Sequence, residues 1–169
     1  TQAANSFELS TLHCDNLIDV HRGHGGPKKG RRDKEVSLNR AVVVLAVASW
    51  QAVVQDMVLA AVAAGTPAPG SGMSPTTYKL ATGHVAQQVG DLSTPNAQNV
   101  RKLMQGVGFD PRPHWKWSQM GGRGVGTVQW TPVMAENRVN EWLKVRHAVA
   151  HGDASLPVVS ALQAVRENG

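Results

Sequence analysis

The residues best suited to chemistry lie in the segment 146–151, which reads Arg-His-Ala-Val-Ala-His. Histidine is the side chain whose usual pKa lies near neutrality, so an imidazole can take up and release a proton at physiological pH. A fixed arginine can neutralise the charge that grows on phosphate oxygens when a phosphodiester is attacked. The grouping of Arg146, His147 and His151 therefore predicts acid–base chemistry on a phosphodiester.

Two other interpretations fit the same three residues. The first is structural, because cations at the C-terminal end of a helix meet the negative pole of its macrodipole. The second is metal binding, because His147 and His151 have the i, i+4 spacing of a helical pair of zinc ligands. The glutamate that follows the first histidine in zinc peptidases is missing, and the sequence offers no obvious third ligand. We therefore expect no metal and no other cofactor.

The element that must position these residues is a helix over residues 131–152. Thr131-Pro132 supplies a cap followed by proline at the first helical position, and Gly152 is a natural terminator. At about 100° per residue, His147 and His151 share a face, whereas Arg146 and His151 point about 140° apart. The length of the Arg146 side chain, or fraying of the last helical turn at Gly152, would bring the charged ends of Arg146 and His151 closer together.

A second copy of the chain is the alternative way to complete the site. Around the helix axis, Arg146 shares a surface with a mixture of polar and apolar residues: Glu136, Val139, Asn140, Leu143 and Ala150. Such a surface suits burial against another element or another copy. We favour a homodimer in which each chain contributes part of a composite site.

The rest of the pattern predicts an all-α protein of five or six helices in a single domain, residues 1–169. Further helices are expected over residues 7–21, 37–64 and 76–89, from Thr94-Pro95 to Gly106, and after Pro157. In the first helix the expected core residues are Leu9, Leu12, Leu17 and Val20. The long helix is apolar nearly all round, but Asp56 would cost about 2.5–3.5 kcal/mol in a bilayer. We therefore expect a long central helix of a bundle and no membrane span.

A basic, glycine-rich stretch at residues 22–35 is predicted to be a loop. It contains Arg22, Lys28, Lys29, Arg31 and Arg32. The formal charge of +5 and a sequence pI of about 9.8 favour polyanionic partners. We expect these five residues to bind RNA phosphates, although an exposed connecting loop with no binding role would have the same composition.

A second loop is predicted over residues 109–130, which are rich in Trp, Gly and Pro, with a brief extended piece at residues 127–130. Its aromatic residues alternate with basic ones: Trp115, Trp117 and Trp130 with His114, Lys116 and Arg123. Aromatic side chains in this setting either stack on unpaired bases or anchor the loop to the core. The single cysteine, Cys14, has no partner within the chain for a disulfide, which favours a reducing compartment, and we expect a cytoplasmic protein.

The element Arg-x4-His, here Arg146 to His151 followed by Gly152, resembles the signature of HEPN domains. The wider pattern is similar to the RiboL-PSP branch of that superfamily. The supporting segments are Leu-Asn-Arg-Ala-Val-Val-Val-Leu at 38–45 with Ala-Ser-Trp at 48–50, and Thr-Pro-Asn at 94–96 with Asn-Val-Arg-Lys-Leu at 99–103. The resemblance covers residues 16–152.

This resemblance implies a homodimeric, metal-independent endoribonuclease that cleaves through the RNA 2′-hydroxyl and leaves a cyclic phosphate. His151 would be the base or acid, Arg146 would hold the scissile phosphate, and His147 would take the polar position that often holds Asn or Asp. The resemblance also implies bacterial antiphage defence, a toxin role with an antitoxin or other partner protein, or a stress response. The alternative it allows is a non-catalytic HEPN dimer that binds RNA, nucleotide or a partner protein.

Overall fold

The structure, a computed structural model, describes residues 2–24, 33–120 and 126–153, and most of them are helical. These residues form five α-helices, a 3₁₀ turn and a two-stranded sheet, in the order α1 (Gln2–His24), α2 (Asp33–Ala64), α3 (Pro75–Gly90), α4 (Ala97–Gln105), a 3₁₀ turn (Arg112–His114), β1 (Trp117–Met120), β2 (Thr127–Trp130) and α5 (Pro132–Ala150). The predicted all-α class with one long apolar helix is confirmed. The helix predicted after Pro157 lies outside the described residues.

Helix α1 buries a different face from the predicted one. Cys14 and Ile18, one turn apart, are buried in a core cluster with Val42 of α2, and Leu17 packs against its edge. Burial raises the pKa of the Cys14 thiol, and the neighbouring Asp15 carboxylate raises it further. Three of the four predicted core residues are exposed: Leu9, Leu12 and Val20. The prediction was wrong because α1 carries two apolar stripes, and hydrophobicity alone does not tell which of them packs.

Helix α2 is buried along one side of its length. It begins at Asp33 rather than at the predicted Ser37. The buried residues are Val42, Val43, Val47, Ser49, Val54 and Val58. The Ser49 hydroxyl donates to the Leu45 carbonyl oxygen at 2.9 Å, so this buried polar group is satisfied within the helix.

The opposite side of α2 exposes apolar residues, Leu45, Ala48, Ala52 and Leu59, and Met57 is exposed on another part of the helix. By length and composition, Val36–Ala64 would suffice to cross a membrane. About one third (33%) of its most apolar stretch is buried inside the protein. The rest of this apolar stretch is not buried, and a proposed function has to explain why it is exposed.

The chain divides into two compact units, Thr1–Val53 with Glu141–Gly169, and Val54–Asn140. The first unit holds α1, the first part of α2 and the last part of α5. The second holds the rest of α2, the helices α3 and α4, the hairpin and the start of α5. The single domain over residues 1–169 stays a prediction.

In the second unit, α3 begins and packs much as its pattern predicts. The Ser74 side chain caps it by accepting a hydrogen bond from the Thr77 N–H at 3.1 Å. Val85 and Val89 are buried, and the Gln55 side chain of α2 donates to the Val89 carbonyl oxygen at 2.7 Å. This bond joins the second half of α2 to the end of α3.

Helix α4 begins at a different cap from the predicted one. The N-cap is Asn96, whose side-chain oxygen accepts from the Asn99 N–H at 2.7 Å. The predicted cap, Thr94, lies before the helix, where its carbonyl oxygen accepts from the Asn99 side chain at 2.9 Å. The prediction of a Thr94 cap was wrong because asparagine caps helices at least as well as threonine, and Pro95 is buried in the approach to the helix.

Strands β1 and β2 form an antiparallel hairpin in which Trp117 pairs with Trp130 and Met120 with Thr127. The extended piece predicted at residues 127–130 is confirmed as β2. Its partner strand was wrongly assigned to the loop 109–130. The signal that identifies it is a pair of short runs on either side of a glycine-rich segment, which is the pattern of a hairpin.

Candidate functional site at the end of helix α5

Helix α5 carries the predicted catalytic residues, and its start is fixed as predicted. The Thr131 side chain accepts a hydrogen bond from the Met134 N–H at 3.3 Å, and Pro132 is the first helical residue. Further along, Trp142 and Leu143 are 7% and 4% exposed. These two anchors fix the rotation of the last turns of α5 about the helix axis.

The C-terminal end of α5 is a closed Schellman turn. Gly152 adopts a φ of +67°, which favours glycine, and its N–H donates to the Val149 carbonyl oxygen at 3.2 Å. The Asp153 N–H donates to the Ala148 carbonyl oxygen at 2.9 Å. These two bonds define the motif, and the predicted stop at Gly152 is confirmed.

The closed turn holds His151 in regular helical geometry. Its N–H donates to the His147 carbonyl oxygen at 3.0 Å. The last turn is therefore not frayed. The expectation that fraying brings Arg146 towards His151 was wrong. On a regular helix these two side chains leave the axis about 140° apart.

The two imidazoles lie together on the exposed side of α5. His147 and His151 are exposed, whereas Arg146 is half-buried on the flank of the same turn. At i, i+4 spacing the Cβ atoms of the two histidines are about 5–6 Å apart. Such a pair can divide the roles of proton acceptor and proton donor, whereas the Arg146 guanidinium leaves the same turn in another direction.

The polar and apolar surface that Arg146 shares is used largely within the chain. Leu143 is buried, and Glu136 accepts a hydrogen bond from the Arg112 guanidinium. The Asn140 side-chain oxygen accepts from the Ala97 N–H at 3.2 Å. Much of this surface is therefore engaged within the chain, Asn140 and Ala150 are exposed, and the homodimer stays a prediction.

A metal site receives no support from the described part of the chain. Within residues 2–24, 33–120 and 126–153, no group of three or more His, Cys, Asp or Glu side chains is arranged to hold a metal ion. His147 and His151 therefore find no third protein ligand among those residues.

The predicted RNA-binding residues lie mostly outside the described part of the chain. Lys28, Lys29, Arg31 and Arg32 belong to residues 25–32, which the structure does not describe. Arg22 lies in the last turn of α1. The predicted loop 22–35 is too long at both ends, because α1 continues to His24 and α2 begins at Asp33.

Two of the three tryptophans of the predicted aromatic group form a stacked pair, and Arg123 of that group lies outside the described residues. The rings of Trp117 and Trp130 are nearly parallel, with centroids 5.0 Å apart and an angle of 9° between their planes. The Arg138 guanidinium lies over the Trp130 ring at 5.8 Å from its centroid. No sequence pattern singles out Arg138, because its contact with Trp130 depends on a hairpin that the pattern did not reveal.

An ion pair that sequence reasoning also missed ties α4 to the segment after it. The Arg101 guanidinium donates to both carboxylate oxygens of Asp110, at 2.9 and 2.6 Å. The hydrogen bonds from Arg101, with help from the Arg112 N–H and the Gln105 side chain, lower the pKa of Asp110 to about 2. Nothing in the spacing of these residues marks the pair.

One open cavity of about 250 Å³ lies in the second unit, at the connection between α3 and α4. Its lining is mixed polar and apolar: Gln88, Asp91, Leu92, Ser93, Thr94, Asn99, Lys102 and Leu103. None of the predicted site residues lines it.

Comparison of the chain with protein-family models, with curated proteins and with solved structures found no match.

Proposed function

We propose that this chain is a HEPN-type, metal-independent endoribonuclease. The observation that carries the proposal is the exposed pair His147 and His151 on the closed last turn of α5, with Arg146 on the flank of that turn. Exposed imidazoles in a rigid helical turn are suited to proton transfer to and from a bound polyanion. The same segment resembles the HEPN signature, and this resemblance implies RNA cleavage through the 2′-hydroxyl.

The proposed reaction needs only the RNA and these side chains. His151 accepts the proton of the 2′-hydroxyl as the 2′-oxygen forms a bond to phosphorus. The bond from phosphorus to the 5′-oxygen breaks, and that oxygen takes a proton from an acid in the site or from water. The products are a 2′,3′-cyclic phosphate and a 5′-hydroxyl. Arg146 neutralises the charge on the non-bridging oxygens, and His147 supports the site from the polar position.

A homodimer is part of the proposal, because Arg146 and His151 point apart on one helix. The exposed side of α2 that carries Leu45, Ala48, Ala52 and Leu59 supports it. A group of exposed apolar side chains on one helix side is typical of a surface that another chain covers. In the dimer, Arg146 of one copy and His151 of the other act on the same phosphate.

The wider role follows from the resemblance and from charge. The formal charge of +5 favours RNA as the substrate. Antiphage defence, a toxin held by an antitoxin or other partner protein, or a stress response in the cytoplasm is the setting that we propose.

The proposal is tested by incubating the purified protein with a range of RNAs in the presence of a chelator. We expect cleavage by the wild type, a loss of about 10²–10⁴-fold in Arg146→Ala and in His151→Ala, and no change in His84→Ala. His84 is the matched control because it is an exposed histidine on helix α3.

Other outcomes of that assay would contradict the proposal. An intact dimer that binds RNA, nucleotide or a protein but cuts none of the RNAs would be the non-catalytic HEPN dimer. Cleavage that stops with chelator and returns with zinc would instead assign His147 and His151 to a metal site.

The composite site is tested by mixing two inactive variants. In a dimer of one Arg146→Ala chain and one His151→Ala chain, one of the two composite sites carries both wild-type residues. After random exchange of subunits we expect about one quarter of wild-type activity. No recovery of activity would contradict the composite site.

A further inference from the structure

The hairpin presents one open indole ring that the proposed catalytic site does not use. Trp117 stacks on Trp130, and Trp130 is only 9% exposed because Trp117 and Arg138 both pack on it. Trp117 remains 40% exposed although one of its ring faces lies against Trp130. The exposed part of Trp117 is therefore surface that Trp130 does not cover.

The backbone holds this ring in place. Trp117 and Trp130 are directly paired in the antiparallel ladder, so their side chains lie on the same face of the hairpin. The neighbouring pair on the other face is polar, with the Ser118 hydroxyl hydrogen-bonded to the Gln129 side chain at 2.9 Å. A ring fixed by stacking and by strand pairing loses little further freedom when a planar ligand stacks on it.

The segment before the hairpin repeats this arrangement. Phe109 stacks on His114, with ring centroids 5.3 Å apart and an angle of 18° between the planes. Phe109 is 42% exposed. Both rings of this pair are exposed, so the segment that contains the hairpin presents a second stacked aromatic pair to solvent.

The charge around these rings favours a polyanion. Both carboxylates between residues 101 and 138 are engaged by arginines, Asp110 by Arg101 and Glu136 by Arg112. Lys116 lies next to Trp117 in the chain and is exposed. An exposed aromatic ring with an exposed lysine at the neighbouring chain position fits a nucleotide, whose base stacks on the ring while its phosphate pairs with a cation.

We propose that Trp117 is a stacking site for the bases of single-stranded RNA. Bases in a duplex stack on each other and are not open to a protein ring, so the site selects unpaired nucleotides. The inference rests on the proposed function in taking RNA as the ligand, and it adds that the RNA is single-stranded and is held through its bases.

The test uses a fluorescently labelled single-stranded oligonucleotide of mixed sequence in which every 2′-hydroxyl is methylated. Such an RNA cannot be cut through the 2′-oxygen, so binding is measured apart from cleavage. We expect Trp117→Ala to weaken binding by about 5–150-fold, and Trp117→Phe to retain most of the affinity. Met120→Ala is the matched control, because Met120 is 89% exposed at the other end of the same strand, and we expect no change.

An oligomer of the same length without bases separates stacking from charge. We expect wild type and Trp117→Ala to bind it equally and more weakly than the wild type binds the oligonucleotide with bases. Trp117→Leu keeps an apolar side chain without a ring, so it also provides a folded variant if Trp117→Ala disrupts the hairpin.

If Trp117→Ala and Trp117→Leu both bind the labelled oligonucleotide with wild-type affinity, the inference is overturned. The exposed ring would then be assigned to contact with a protein partner. An equal loss of affinity towards both oligomers would overturn it as well, since a backbone contact would then be the cause. Tight, Trp117-dependent binding by a wild type that cleaves no RNA would remove the proposed nuclease and keep the stacking site.

Discussion

At the scale of single residues, the three members of the motif have different positions and so different expected roles. His147 and His151 are exposed on one face, and Arg146 is half-buried on the flank of the turn. If a histidine only supports the site, replacing it by another polar residue changes the cleavage rate little. If it transfers the proton, the same replacement lowers the cleavage rate strongly. The comparison of matched substitutions at 147 and 151 therefore separates support from catalysis.

We expect His147→Asn to keep the cleavage rate within about tenfold of wild type and His151→Asn to lose about 10²–10⁴-fold. Both substitutions replace an exposed imidazole by the same amide, so the two variants are matched in the size and polarity of the new side chain. The measurement is the single-turnover rate on one RNA in chelator. Equal losses in both variants would make His147 catalytic as well.

At the scale of elements, the last turn of α5 decides where His151 points. The left-handed conformation of Gly152 closes the Schellman turn, and a Cβ there meets open space, so any cost comes from backbone conformation and not from a clash. A non-glycine residue in this conformation costs about 1 kcal/mol or somewhat more.

We expect Gly152→Ala to lower the free energy of unfolding by about 1–2 kcal/mol and to reduce cleavage, because the turn that holds His151 loosens. Gly83→Ala is the control. Gly83 lies inside α3 with open space around it, so alanine there raises the free energy of unfolding by about 0.5–1 kcal/mol. Urea unfolding measures both changes. A stabilised Gly152→Ala would contradict the closed turn.

A second element-scale prediction concerns the ion pair between α4 and the segment after it. Because Arg101 lowers the pKa of Asp110 to about 2, below the value of a free aspartate, the carboxylate stabilises the fold above about pH 4. This stabilisation is lost as the pH falls towards 2, where the folded protein takes up the proton.

We expect Asp110→Asn to be less stable than wild type at neutral pH, with a difference that disappears between about pH 4 and pH 2. The thermal unfolding midpoint measured across this range checks the prediction. Asp91→Asn, at an exposed aspartate in the second unit, is the control and should show a smaller difference. A difference for Asp110→Asn that persists at pH 2 would show that the substitution acts through something other than charge.

The elements also show how far the sequence predicted the fold and the site. The ends of α5 were predictable because Thr131, Pro132 and Gly152 act through local backbone chemistry. The buried face of α1 was not, because packing against α2 chose Cys14 and Ile18 over a second apolar stripe on the same helix. Strand β1 and the stack that it forms depend on pairing between distant residues, which single-residue preferences do not reveal.

At the scale of the whole molecule, the exposed apolar side of α2 is the surface that we propose another chain covers. Leu45 and Leu59 are 36% and 44% exposed, although α2 is the most apolar helix among the described residues. A second copy that covers this side is the homodimer of the proposed function.

We expect the wild type to be a dimer, and Leu45→Gln with Leu59→Gln to shift it to a monomer with loss of cleavage. Light scattering after size exclusion measures the mass. Leu80→Gln is the control, because Leu80 is 79% exposed on α3 and no dimer contact is proposed for it. A wild-type monomer, or a dimer unaffected by the double substitution, would contradict this use of α2.

The most direct test of the central claim is the chemistry of the ends that cleavage leaves. The wild type is incubated in chelator with an RNA and with the same RNA that carries a single 2′-deoxy nucleotide at the cleaved position. We predict a 2′,3′-cyclic phosphate and a 5′-hydroxyl from the first RNA, no cut at the substituted position of the second, and loss of both products in His151→Ala. Cleavage of the 2′-deoxy position, or a 5′-phosphate on the product, would contradict attack by the 2′-hydroxyl and with it the nuclease proposed at the end of α5.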